Sequence, residues 1–380
     1  MSQTIVETCR LVTDPSGCYV EEPLSNAAIA EFALEPMVKR VGSNPRQREP
    51  ELRLRPMLAR LRGGKVFGLT FVPVTQDGFA SLNFFVHNPM NLNKIINGED
   101  PEGVDFAKKN LLSCQFSGID DYDAGVLVGN SGNFGHWMFN HFSRLALIMS
   151  VPSLRDVPLV VGENISANQL ECLALMGFDR SRILRLRKGR LARFRMLWAP
   201  TMPLCGLSGN NALLWAPNAI RFFRQKLNIE RAQSGEKRRR LFISRKGAKW
   251  RRLLNEEELV RYIEKSGFEI VDPGVLSIAE QISIAASAEA IMGQIGAGMN
   301  MILFAPPGTA VIQLVAHSSV VMNLTEPVAM YLKQKYFEID CSPVLNEGVK
   351  PLDADSIVSV AHVQRALHLF GLSERAPCSL

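Results

Sequence analysis

Several things are scarce in this chain of 380 residues, and each scarcity narrows the reading. No stretch approaches the ~18 consecutive apolar residues of a membrane-spanning helix. The opening residues, Met1 to Val20, show no basic segment followed by an apolar run, so no secretory signal is expected. The seven cysteines, Cys9, Cys18, Cys114, Cys172, Cys205, Cys341 and Cys378, are scattered, odd in number and never spaced C-x-x-C. That argues against a disulfide framework or a zinc site and fits a reducing compartment. There is no internal repeat and no low-complexity tract. Neither G-x-G-x-x-G nor a glycine loop ending in Lys-Ser or Lys-Thr occurs. RNA-recognition aromatics and a helix-turn-helix signature are also missing, so nucleic acid is not an expected partner.

What is present is an ordinary globular composition, 47% apolar and 21% charged, enough for a sizeable core in two or three domains. The net charge of +6 is concentrated. One cluster holds Arg182, Arg185, Arg187, Lys188, Arg190, Arg193 and Arg195; another runs from Lys237 to Arg240 and on through Arg245, Lys246, Lys249, Arg251 and Arg252. Such patches suit phosphates or anionic headgroups, or else form a solvated basic face.

Residues 1–120 look β-rich. Val66–Val72 and Phe79–Phe85 read as a hairpin turning at Asp77-Gly78, and Ser43–Glu51 as a loop. From Ala124 strands and helices alternate. Gly125–Gly129, Val157–Val161, Ile183–Leu186 and Phe194–Trp198 are expected strands. Gly135–Ser150 is an expected helix with Met138, Phe142, Leu145 and Met149 on one stripe. Ser166 with Gln169 predicts a capped helix that stops at Gly177, and Pro217 opens another to about Leu227. After a polar linker at Ala232–Arg239 the alternation resumes. Strands are expected at Leu241–Arg245, Phe268–Val271, Ala290–Met292, Ala310–Leu314 and Tyr336–Ile339. Helices are expected from Asn255 to Gly267, from Ser277 to about Ala288, at Gly298–Phe304, near Leu324–Gln334 and from Asp353 to Leu372. The expected fold is therefore α/β, with a β-rich module over 1–120 and two doubly wound Rossmann-like domains over 121–231 and 232–380.

Strand, glycine turn and helix meet at Gly293-Gln294-Ile295-Gly296-Ala297-Gly298. Glycine permits a sharp turn and close approach of a ligand. The first amides of the following helix, with the helix dipole, form an anion site. Asn300 adds a side-chain donor. Tight strand-to-helix packing is the plain alternative for this turn.

The surrounding residues carry more. Leu241-Phe242-Ile243-Ser244-Arg245, Ala248, Arg251-Arg252, Asn255-Glu256, Val271-Asp272-Pro273-Gly274, Glu280-Gln281, Gly296-Ala297-Gly298-Met299-Asn300 and Leu303–Thr309 follow in order. Upstream stand Asn133–His141 and Arg144-Leu145. This series resembles glycosyltransferase family 61, which includes capsular polysaccharide biosynthesis proteins and eukaryotic xylosyl- and N-acetylglucosaminyltransferases. The resemblance covers about Gly125 to Leu314 and, more loosely, the whole chain. It implies a GT-B fold with an active-site cleft between the two Rossmann-like domains. It further implies inverting transfer from a nucleotide sugar, usually a UDP-sugar, with no obligatory cofactor or metal. The implied acceptor is a glycan or lipid-linked glycan in polysaccharide biosynthesis, and the expected location is the cytoplasm, with peripheral contact at an anionic inner membrane face.

The resemblance assigns donor binding to Ser244, Arg245, Lys249, Arg251, Gln281, Gly296, Ala297, Gly298, Met299 and Asn300. Arg245 has the fixed fork of donors that suits phosphate; its alternative is a surface salt bridge. Gln281 is assigned to orienting a loop. On the acceptor side, His136, Asn140 and Arg144 recur at i, i+4 and i+8 and would share one helix face. The family commonly has Asp or Glu where this chain has Asn140, and a neutral amide cannot take a proton. His136 is then the candidate base, with His141 behind it and a purely structural histidine as the alternative. The family's His-Gly-Ala is also replaced here by Ile295-Gly296-Ala297. These departures leave a second reading open, a catalytically degenerate binding or scaffold subunit of a polysaccharide assembly complex. The D-x-D pairs Asp121/Asp123 and Asp353/Asp355 do not follow buried strands, and Asp353 reads as a helix cap.

Overall fold

The computed structural model describes residues 58–68, 115–200, 204–207, 213–215, 217–229, 238–316 and 325–373, with short pieces at 3–4, 10–12, 20–21, 71, 73–74, 76 and 79–81. The described residues up to Phe223 form one compact unit, and those from Arg224 onward form a second. Ser43–Glu51, Asp77-Gly78 and all but the last two residues of the expected linker Ala232–Arg239 lie outside the described residues, and Arg239 already stands in a strand.

In the first unit aliphatic strands collect into a sheet of eight. Its main members are β1 (Leu58–Arg62), β2 (Lys65–Phe67), β3 (Ile119–Gly129), β4 (Leu159–Gly162), β5 (Ile183–Leu186) and β6 (Leu191–Pro200). The order is β5-β4-β3-β6-β1, continuing to Val20–Glu21, with β2 also on β6. The contacts among β3, β4, β5 and β6 are parallel, whereas β1 and β2 run antiparallel to β6. The β-rich stretch of the N-terminal part thus extends the same sheet. Its hairpin differs from the expected one. β2 folds back on Pro73–Val74, while Phe79–Ser81 pairs with Arg10–Val12. The strand stops early because the Gly68 amide donates to the Arg190 carbonyl at 3.0 Å. A Cβ on Gly68 would sit 2.3 Å from the Arg187 carbonyl oxygen, so the chain is held against that loop.

The helix expected after β3 forms in three pieces. These are α1 (Phe134–His136), a π-helical stretch Trp137–Phe142, and α2 (Arg144–Met149). Asn133 Oδ1 caps the start by accepting from the His136 amide at 3.2 Å. Met138, Phe142 and Leu145 are buried, as their spacing predicts, and Phe142 stacks on Trp137 with centroids 5.1 Å apart. Next comes α3 (Ala167–Leu175), whose start carries the full Ser166/Gln169 capping box and whose end is followed by Gly177 at φ 89°. It is followed by α4 (Pro217–Lys226).

The first basic cluster is largely neutralised across the parallel β3–β6 ladder. Arg193 stands in register with Asp121 and pairs with it at 2.7 Å. Arg195 reaches Asp123 at 3.2 Å, and Asp120 receives Arg190 at 2.6 Å together with Arg187. Arg182 is spent on the carbonyls of Leu154 and Val157. The first D-x-D pair is thereby half of an ion-pair ladder, not a metal site. The hydrogen bonds from Arg190, reinforced by Arg187, hold the Asp120 carboxyl down at about 2. A depressed folded-state pKa contributes stability above the unfolded value and loses it as pH falls. Asp120→Asn should therefore lower the melting temperature at pH 7, and the gap to the native chain should close as pH drops from about 4 toward 2. Thermal unfolding across that range measures it; a gap independent of pH would contradict the pairing.

In the second unit five strands run parallel. They are β7 (Arg239–Ile243), β8 (Phe268–Val271), β9 (Ala288–Gln294), β10 (Ala310–Val315) and β11 (Lys335–Asp340), in the order β8-β7-β9-β10-β11. This is the second-first-third-fourth-fifth order of a doubly wound sheet. All six residues of β10 are buried, as a central parallel strand requires. The helices are α5 (Glu256–Ile263), α6 (Ile278–Ala286), a 3₁₀ helix Ala297–Phe304, α7 (Thr325–Tyr331) and α8 (Val360–Leu369). Leu259 and Ile263 of α5, with Val363 and Leu367 of α8, pack on Phe242, Met292 and Ile312 of the sheet.

The Ser277/Glu280 capping box forms in full. At α5 the expected box does not, because the Asn255 side chain bridges the backbone of Val358 instead. Nor does the last helix begin at Asp353. Asp353 ends a short 3₁₀ turn, Asp355–Ile357 forms a strand against Ser342–Val344, and α8 starts after Ser359. Asp355 is buried as the bidentate partner of Arg252 and its backbone amide, and this draws the segment into extended form. Among the described residues no helix is long and apolar enough to cross a membrane, and Cys172 and Cys341 are buried free thiols. Parallel sheets flanked by helices make this a mixed α/β protein of Rossmann-like type.

Candidate functional site

In a doubly wound sheet, ligands settle beyond the carboxyl ends of the strands where the order reverses. In the second unit that point lies between β7 and β9. The chain leaves β7 at Ser244-Arg245 and leaves β9 at Ile295-Gly296. The two exits meet. A Cβ built on Gly296 would lie 2.0 Å from Nη1 of Arg245, so a side chain there would displace this guanidinium. Gly298 is constrained in the same way by Ile243 Cγ2, at 2.7 Å.

Arg245 is held by backbone carbonyls. Its Nε donates to the Arg251 carbonyl at 3.1 Å and its Nη2 to the Trp250 carbonyl at 2.9 Å. Burial, reinforced by the neighbouring Arg251 cation, pulls its pKa down to about 10, so it stays protonated at neutral pH. Arg251 is likewise depressed by burial, and its Nε is buried without a hydrogen-bond partner among the described residues. Others of the second cluster are paired: Arg239 with Glu269, Arg240 with Glu289, Lys246 with Glu257, and Arg252 with Asp355. Arg245, Lys249 and Arg251 have no salt-bridge carboxylate among the described residues. Two adjacent guanidiniums desolvated by burial, with Glu256 and Asp353 nearby but in no salt bridge to them, are costly. A bound anion would relieve that cost.

The turn supplies donors. Ala297 and Gly298 open the 3₁₀ helix, and their amides have no carbonyl partner among the described residues. The Met299 amide, also expected to face the ligand, instead donates to the Gly296 carbonyl at 3.0 Å. A 3₁₀ start consumes that donor one residue sooner than an α-helix would. Asn300 is buried, with Nδ2 unpartnered among the described residues. Ile295, where a histidine would stand in the resembling pattern, is buried and its amide donates to Leu314. Gln281 is buried and donates to the carbonyls of Pro273 and Leu276, which fixes the loop after β8. Lys249 is exposed and lies over the Trp250 ring, 4.8 Å from its centroid. Among the described residues no group of three His, Cys, Asp or Glu side chains is placed to hold a metal.

The role of Glu256 and the backbone form of Arg251 were not read from the sequence. Glu256 had looked like part of a helix cap. Its buried carboxylate accepts from the Ser244 hydroxyl and from the Arg245 amide, the latter at 3.3 Å, and so aims the exit of β7. Arg251 adopts φ 57°, the left-handed region. A side chain there costs roughly 1–3 kcal/mol, which the surrounding structure must offset. Arg251→Gly should therefore be more stable than Arg251→Ala by about 1 kcal/mol, while both lose anion affinity. Urea unfolding of the two variants decides this; equal stabilities would remove the strain.

The other candidates lie in the first unit, at the carboxyl end of β3. His136 is exposed on α1. Asn140 and Arg144 are buried. The expected single α-helical face across these three residues is interrupted by the π-helical stretch, and their environments diverge. Arg144 Nη1 donates to the Val128 carbonyl at 2.9 Å, and burial lowers its pKa to about 10. His141 lies against Gly129, with Nδ1 at 3.3 Å from the same carbonyl. A carbonyl only accepts, so Nδ1 carries the proton there. Arg144 and His141 thus brace the end of β3, and His136 is the exposed imidazole of the group.

Comparison with curated proteins finds no match. Residues 134–312, from the helix after β3 to the middle of β10, match the family model described as Glycosyltransferase 61, and that match supports membership of glycosyltransferase family 61 and a glycosyltransferase activity.

Proposed function

We propose that the protein is an inverting glycosyltransferase that takes a sugar from a nucleotide sugar, a UDP-sugar first among them, and gives it to a glycan or lipid-linked glycan in polysaccharide biosynthesis. We also propose the GT-B arrangement of its two units. The observation that carries this reading is the Arg245 guanidinium set against the Gly296 turn, with Arg251 beside it and neither in a salt bridge among the described residues, at the reversal point of a parallel sheet. Guanidiniums and open amides there would hold the diphosphate and neutralise the charge that grows on it as the glycosidic bond breaks. No obligatory metal belongs to this scheme, because the two arginines carry that charge.

His136 is the proposed base. It takes the proton from the acceptor hydroxyl as that oxygen attacks the anomeric carbon from the face opposite the leaving diphosphate. Calorimetry with UDP and UDP-sugars tests the donor half. Saturable binding is expected, and none at millimolar concentration to a folded sample would overturn it.

A second reading, a degenerate binding subunit, draws on two observations: a buried neutral amide at Asn140 and a buried aliphatic group at Ile295. On that reading the native chain binds UDP without turnover, and Asn140→Asp combined with Ile295→His creates activity. Turnover by the native chain that His136→Ala abolishes would dismiss it.

A further inference from the structure

We infer that the indole of Trp250 is the stacking platform for the base of the nucleoside diphosphate, and hence the group that separates a nucleotide from a bare diphosphate at this site. The inference rests on the donor-binding reading above. Trp250 is one of four tryptophans and is 41% exposed, whereas Trp137 is 1% exposed.

Its position ties it to the anion site. The carbonyl of Trp250 accepts from Nη2 of Arg245 at 2.9 Å, and the next residue is Arg251 in its left-handed conformation. The same loop between β7 and α5 therefore holds both the guanidinium at the Gly296 turn and the ring. One face of the indole already carries the Lys249 ammonium, 4.8 Å from the centroid. The indole is partly exposed, which leaves ring surface for a flat partner. The surroundings are cationic and aromatic together, which matches a ligand that is anionic at one end and aromatic at the other. Stacking of a base on an aromatic side chain tolerates any base, so the platform contributes affinity for nucleotides as a class and leaves the choice of base to other contacts.

The test measures binding of two probes, UDP and inorganic pyrophosphate, to the full-length native chain, Trp250→Ala, Trp250→Phe and Arg245→Ala. Trp250→Ala should weaken UDP about tenfold and leave pyrophosphate nearly unchanged, and Trp250→Phe should recover most of the loss. Arg245→Ala should weaken both probes. If Trp250→Ala weakens both probes equally, the ring acts only by holding the Arg245 loop and the stacking inference is wrong. If UDP binding is indifferent to Trp250→Ala, the inference is wrong while the donor site stands. If neither probe binds the native chain, the donor-binding reading itself fails and takes this inference with it.

Discussion

Arg245→Ala should weaken UDP binding about a hundredfold while leaving the melting temperature nearly unchanged, since a charge-assisted hydrogen bond contributes roughly 1.5–3 kcal/mol and each 1.4 kcal/mol is tenfold in affinity. The two halves of this prediction have one cause. In the unliganded protein Arg245 is desolvated beside a second guanidinium, and its donors reach only neutral carbonyls. Removing it costs two hydrogen bonds but also ends a like-charge contact and the burial of a cation. With a diphosphate present, the same side chain becomes the main counter-charge. Arg245→Lys keeps the charge but not the planar fork, so it should restore only part of the affinity. Calorimetry and thermal unfolding of the three proteins check this. A large loss of stability without loss of affinity would make Arg245 a structural residue.

His136→Ala should lower kcat by roughly 10²–10⁴ with little change in donor KM, the range typical of a lost general base. The imidazole is exposed at the start of the helical segment after β3, whereas His141 is buried against Gly129 and oriented by the Val128 carbonyl. If His136 carries the role that the family's acid fulfils at position 140, then Asn140→Asp placed in the His136→Ala background should recover part of the lost turnover. Steady-state kinetics with donor and acceptor varied separately measures both effects. Unchanged kcat in His136→Ala would remove the base from this residue.

Much of the second unit was legible because parallel βαβ units announce themselves: buried aliphatic strands such as Ala310–Val315, a Ser277/Glu280 capping box, and a left-handed glycine at Gly267 closing a helix. The failures share a physical origin in long-range contact. Asn255 looked like a cap, yet its amide bonds to Val358, more than a hundred residues on. The segment 353–357 looked helical, yet Arg252 buries Asp355 and the chain extends. The first basic cluster looked free, yet the acidic run Asp120, Asp121 and Asp123 lies in register with it across β3 and β6. Pairing of this kind is set by strand register, which no local window contains.

The site divides along the same line. The glycine turn and Arg245 could be singled out from residue type and order. That a side chain at Gly296 would displace the Arg245 guanidinium required the fold. Arg251 was named for donor binding by the resemblance, but its left-handed backbone and the role of Glu256 left no local signal.

The most direct measurement is a crystal structure of the protein grown with UDP. The diphosphate is predicted to lie at the carboxyl ends of β7 and β9, within hydrogen-bonding distance of the Arg245 guanidinium and the amides of Ala297 and Gly298. A diphosphate bound elsewhere, with Arg245 and the Gly296 turn untouched, would contradict the account.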